Sequence, residues 1–139
     1  MASITKEVLI DAPPDEVWDV VRDIGAVHTR FAPGFVVNTE LQPGARVVTF
    51  ANGLVARELI VDVDEGARRL AYAAVGGRLT HHNASFTVIS EGARTRLVWV
   101  ADLLPNELAP VIEGMMDLGT GAIRRAFAAA APDAAMRSL

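Results

Sequence analysis

The residues of this chain best equipped for chemistry are His81-His82, Arg57 and the lone tyrosine, Tyr72. Paired histidines suggest a metal, but neighbours along a strand point to opposite faces, so two adjacent imidazoles cannot chelate one ion. No metal site is expected. The alternating set His82, Ala84, Phe86, Val88 is apolar enough for an inner face, with His81, Asn83, Ser85 and Thr87 outside. His82 is then either a ligand contact and acid–base group, or a rim histidine satisfied by a backbone carbonyl. Arg57 shares a strand face with Val55, Leu59 and Val61, which turns it inward. A buried arginine needs a carboxylate or an oxygen-rich ligand; otherwise it snorkels to the cavity mouth. Glu58 is expected outside, unless a one-residue bulge exchanges the two. The spacing holds no Ser-His-Asp set, phosphate loop, dinucleotide fingerprint or carboxylate dyad, and no cofactor is expected.

These residues must be held by something long. Between Asn106 and Ala131, Leu108, Ile112, Met115, Met116, Gly119, Ile123 and Phe127 recur at steps of three and four, the pattern of a helix with one buried face. Gly119-Thr120-Gly121 interrupts it, and each helical glycine costs about 1 kcal/mol relative to alanine. Either a sheet approaches closely there, or the missing side chains leave room for a ligand. Methionine adapts to differently shaped ligands, and an ordinary core stripe is the plainer reading of Met116, Ile123 and Phe127.

The rest reads as strand and turn. Ser3 to Asp11 alternates as a half-buried strand. Pro14 or Asp15 opens a helix striped by Val17, Trp18, Val21 and Ile24, with Asp15 and Glu16 complementing its dipole. Ala26 to Pro33 suggests a second short helix. Strands follow over Phe35–Gln42, Ala45–Ala51, Leu54–Asp64, Arg69–Val75, Leu79–Ser90 and Arg94–Leu104. Their turns are short and glycine-bearing, which predicts antiparallel neighbours in a meander. Pro110 suits the first turn of the long helix, Pro132 ends it, and residues 132–139 are expected to fray.

Composition bounds the function. A chain of 139 residues, 51% apolar and without cysteine, is expected to be one soluble domain spanning 1–139, with no disulfide, thiol nucleophile or zinc–thiolate site. A net charge of −4 argues against nucleic acid. With no targeting signal and no run of membrane-spanning length, a cytoplasmic protein without membrane insertion is expected.

The motifs carry a family resemblance. Ile10-Asp11-Ala12-Pro13-Pro14-Asp15-Glu16-Val17-Trp18 resembles the "I-x-A-P-x-x-x-V-W" opening of the START/Bet v 1-like (SRPBCC) superfamily. Arg30-Phe31-Ala32-Pro33-Gly34 is similar to its "R-W-x-P-G", with Phe31 in the tryptophan place. Glu58 to Tyr72 resembles "E-x-(x)₃-D-x-(x)₃-R-x-L-x-Y", and Val98-Trp99-Val100 resembles the later "V-x-W". The closest branch is the bacterial polyketide cyclase/dehydratase and lipid-transport group. The resemblance implies an α+β helix-grip fold: a seven-stranded antiparallel sheet wrapped around a long C-terminal helix and enclosing an apolar cavity. It also turns Tyr72 and Ala74 inward, and His82 stands where the family often has tyrosine.

Asn52-Gly53-Leu54-Val55-Ala56 and Gly76-Gly77-Arg78-Leu79-Thr80 are similar to the gate and latch loops of plant abscisic-acid receptors. The gate proline is Val55 here and the latch histidine is missing, so only the position of two loops at one cavity mouth is carried over. The expected ligand-lining set is Phe31, Leu54, Val55, Arg57, Leu59, Tyr72, Ala74, Leu79, His82, Ala84, Phe86 and Trp99, with Ile112, Met115, Met116, Gly119, Thr120 and Ile123 from the helix. A carrier or sensor of a hydrophobic lipid, polyketide or aromatic molecule is expected, as monomer or homodimer. The alternative is an aromatase/cyclase or dehydratase using His82, Arg57 or Tyr72.

Overall fold

Alternation along β1 (Ala2–Ile10) buries Ile4, Val8 and Ile10 and turns Ser3, Thr5, Glu7 and Leu9 outward. In this computed structural model, which describes residues 2–130, β1 pairs antiparallel with β7 (Arg94–Leu104), setting Ile4 beside Ala101 and Val8 beside Leu97. The remaining strands are β2 (Val36–Gln42), β3 (Ala45–Phe50), β4 (Val55–Asp64), β5 (Arg69–Val75) and β6 (His81–Glu91). They form one seven-stranded antiparallel sheet in the order β1-β7-β6-β5-β4-β3-β2. Short turns make β2 to β7 a meander, and only the β1-to-β2 connection is long enough to hold helices. It carries α1 (Pro14–Val21) and a five-residue π-helical turn, Val27–Phe31.

The long helix starts later than the apolar repeat suggests. Asn106–Leu108 forms a 3-10 turn, and α2 (Ala109–Ala130) follows with Pro110 in its first turn. The expected stop at Pro132 and the fraying of 132–139 lie outside the described residues. Met116, Gly119, Thr120, Ala122 and Ile123 form the buried stripe of α2. Lys6, interrupting the apolar face of β1, reaches α2 through Asp117 (2.9 Å) and Glu113 (3.6 Å). No helix among the described residues is long and apolar enough to cross a membrane.

Gly119 answers one of the two readings of the helical glycines. A Cβ placed there would stand 2.9 Å from Cζ3 of Trp99 and 3.1 Å from Cε2 of Phe35. The indole slides beneath the helix backbone, and any side chain at 119 would push it out. Close approach, rather than room for a ligand, explains this glycine.

The expected face of β4 is corrected. Arg46 pairs with Glu58 and Val48 with Ala56 across β3 and β4, which puts Ala56, Glu58 and Ile60 on the inner face. The register shifts between Ile60 and Asp62, and after this bulge Val63 packs inward while Val61 is exposed. Val61 and Val63 therefore cannot phase the first half of the strand. Arg57 lies on the outer face, exposed, its Nε donating to Oε1 of Gln42 at 3.1 Å. Leu59, also turned outward, pairs with Ala45 and Ala73.

Candidate functional site

Between α2 and the inner face of the sheet the side chains do not meet everywhere. A cavity of about 420 Å³ remains. Three aromatic rings from adjacent strands build one wall: Phe86 stacks on Trp99 (centroids 4.7 Å apart, planes at 25°) and on Tyr72 (6.0 Å, 16°). Phe31, at the end of the π-helical turn, meets Phe86 edge-on at 5.0 Å and closes the near end. From α2 come Ile112, Met115, Met116, Gly119 and Ile123. Leu54 and Val55 on one side and Gly76 to Leu79 on the other border the opening, where Leu54, Val55, Val75 and Val111 leave apolar side chains exposed. Gly76 and Gly77 have φ of 89° and 66°, a left-handed bend that a glycine pair accommodates without strain.

Among the described residues, polar groups enter this apolar space at three points. The first is an ion pair. Nε of Arg46 donates to Oε1 of Glu58 at 2.8 Å, with only 4% and 11% of the two side chains exposed. Nη1 of Arg46 reaches the carbonyl of Ile24 at 3.4 Å, and its Cζ lies 5.4 Å from the centroid of the Tyr72 ring. Adjacent in register on β3 and β4, the two charges are brought together by the strand pairing itself.

The second is the Tyr72 hydroxyl, which accepts the indole N–H of Trp99 at 2.9 Å. Among the described residues it donates to nothing, so its proton is free for a ligand. Burial, reinforced by the nearby Glu58 charge and only partly opposed by Arg46 and the Trp99 bond, lifts its pKa far above the usual phenol range. Tyr72 is a neutral donor at any ordinary pH.

The third is His82, at the mouth. The β5–β6 ladder ends at Tyr72 and Ala84, and beyond it Nδ1 of His82 accepts the Ala74 N–H at 2.9 Å, replacing a strand bond. Burial, then the neighbouring His81, hold its pKa below the ordinary histidine value against the opposing pull of Asp102. The imidazole is neutral near pH 7 and, with Nδ1 occupied, carries its proton on Nε2. Its ring centroid is 5.9 Å from that of Tyr72.

Of the expected lining set, Phe31, Leu54, Val55, Tyr72, Ala74, Leu79, His82, Phe86, Trp99, Ile112, Met115, Met116, Gly119 and Ile123 border the cavity. Arg57 and Leu59 do not, for the register reason above. Ala84 is buried in the core beside Tyr72 but does not reach the space. Thr120 is buried too, its hydroxyl turned back onto the Asp117 carbonyl at 2.9 Å. Sequence reasoning missed Arg46 and, as an inward group, Glu58. A local signal existed for Arg46, which alternates with the apolar Val48 and Phe50, but a charged residue in a short strand reads as a solvated one. Phe35 and Phe50, whose rings pack 5.1 Å apart, also line the space unanticipated. Among the described residues no three His, Asp or Glu side chains converge where they could hold a metal ion.

Residues 1–134 match the family model described as polyketide cyclase/dehydrase and lipid transport. No functionally curated protein matches in sequence. Solved structures share the fold at low identity. XoxI of Bacillus cereus superposes with a TM-score of 0.80 at 17% identity, covering 91% of this chain and 96% of that one. A norcoclaurine synthase point mutant of Thalictrum flavum, in complex with a transition-state analogue, gives 0.69 at 20% identity over 91% and 93%. The Zhui aromatase/cyclase of a Streptomyces species gives 0.67 at 20% identity over 94% and 93%.

Proposed function

The chain belongs to the polyketide cyclase/dehydrase and lipid-transport family, and from that premise we propose that it carries or senses a hydrophobic small molecule held in the cavity under α2. One observation supports this reading above an enzymatic one: each group that could act as a base already has a partner, through Nδ1 in His82 and through Oε1 in Glu58. The lone pair of His82 is taken by the Ala74 N–H, and Glu58 is held by Arg46. What remains toward the space is mainly apolar surface and hydrogen-bond donors, which suit binding and orienting a ligand. Phe31, Tyr72, Phe86, Trp99, Ile112 and Met116 make the ligand's walls in this proposal.

A cyclase is the second reading, favoured by two donors on one wall. The Tyr72 hydroxyl and Nε2–H of His82 can polarise a carbonyl of a polyketide-like chain, making the adjacent carbon more acidic. The family includes such activity in its description, as does the name of the Streptomyces neighbour.

Native mass spectrometry of protein purified from its own host tests the first reading. A retained hydrophobic molecule, displaced by unfolding, is the expected result; protein that is empty and also fails to bind an aromatic dye speaks against it. Tyr72→Phe and His82→Ala separate the readings: lost turnover at retained binding favours the cyclase.

A further inference from the structure

The ion pair in the wall decides more than stability. Among the described residues bordering the cavity only Arg46, Glu58 and Arg78 carry charge, and Arg78 stands exposed in the rim loop. Inside, the Arg46 guanidinium is answered by Glu58 at 2.8 Å, so the interior charge sums to zero before any ligand arrives. Building on the proposed binding role, we infer that this pair makes the cavity select uncharged ligands bearing a hydrogen-bond acceptor, such as aromatic ketones, and reject the matching carboxylates. Glu58 is the residue that sets the preference.

A ketone oxygen entering here receives the Tyr72 hydroxyl and the unengaged N–H groups of Arg46 without any ion leaving water. A carboxylate receives the same donors but brings a second negative charge to a guanidinium that already has one. The cluster is then left with a net buried charge, and stripping a carboxylate of water costs several kcal/mol unless a full opposite charge repays it. Neutralising Glu58 reverses the balance, because the guanidinium then lacks a partner and an anionic ligand supplies one. The adjacent donor does not alter this, since the Tyr72 hydroxyl stays protonated in either case.

Isothermal titration of the full chain at neutral pH with naphthalene, 2-acetylnaphthalene and 2-naphthoate tests the inference. The ketone is expected to bind about tenfold or more tighter than the carboxylate, and Glu58→Gln to invert that order. Should Glu58→Gln fail to fold by circular dichroism, the double variant Arg46→Met/Glu58→Leu decides. It removes both charges at similar volume, a change that buried pairs commonly tolerate, and should keep naphthalene binding while cutting the ketone's advantage over naphthalene to what the Tyr72 hydroxyl alone supplies. Equal binding of ketone and carboxylate by the unaltered protein overturns the inference, as does a Glu58→Gln protein with unchanged order or a double variant with the full ketone advantage. If none of the three compounds binds, naphthalene included, the binding reading itself fails and takes the inference with it.

Discussion

At the scale of single residues, His82 shows how one side chain can do a strand's work. Its Nδ1 caps the Ala74 N–H where the β5–β6 ladder stops. A proton on Nδ1 breaks that bond. The unfolded histidine titrates near 6.5 and the folded one lower, so its share of stability is whole above 6.5 and is lost as pH falls through the folded value. Thermal melts are therefore expected to decline as pH falls below about 6.5, and His82→Gln, which cannot titrate, to flatten that decline. Gly119 offers the opposite case, a residue defined by what it lacks. Gly119→Ala gains about 1 kcal/mol of helix propensity but drives its methyl into Trp99, an overpacking worth about 1–3 kcal/mol. Net loss of stability with a shifted indole emission is expected on denaturant titration followed by fluorescence. Both residues were legible as unusual in the sequence. Only their neighbours showed why, because neither Ala74 nor Trp99 lies within a turn of chain of its partner.

At the scale of elements, the β3–β4 pairing contrasts two arginines. Arg46→Met strands the Glu58 charge in an apolar wall and should cost about 3–5 kcal/mol. Arg57→Ala, on the exposed outer face, should change stability by less than about 0.5 kcal/mol. Urea titration of the two variants checks both, and equal effects would contradict this register. The strands and turns themselves were readable, since glycine-bearing turns and alternating apolar residues are local signals. The facing of β4 was not, because Val55, Leu59, Val61 and Val63 form an apolar series that runs straight through the bulge at Ile60 to Asp62. A period of two carries no memory across an inserted residue.

At the scale of the whole molecule, the hollow links fold to role. Ala74→Phe, from β5 into the cavity, should abolish binding of an aromatic dye while the melting temperature stays within a few degrees, because a strand accommodates phenylalanine and the filled volume was empty. A bound ligand at a hundredfold excess over its Kd should stabilise the unaltered protein by about 2.7 kcal/mol, read as a raised melting temperature, and leave the filled variant unmoved. The sequence alone determined the order of elements, the antiparallel meander and the burial of one face of the last helix, since period, turn chemistry and proline placement act over a few residues. The three-dimensional structure decided which charge faces inward, because a bulge is phased by the strands on either side. It also decided how much space is left, because the gap beneath α2 is set where Trp99 meets Gly119, twenty positions away in the chain.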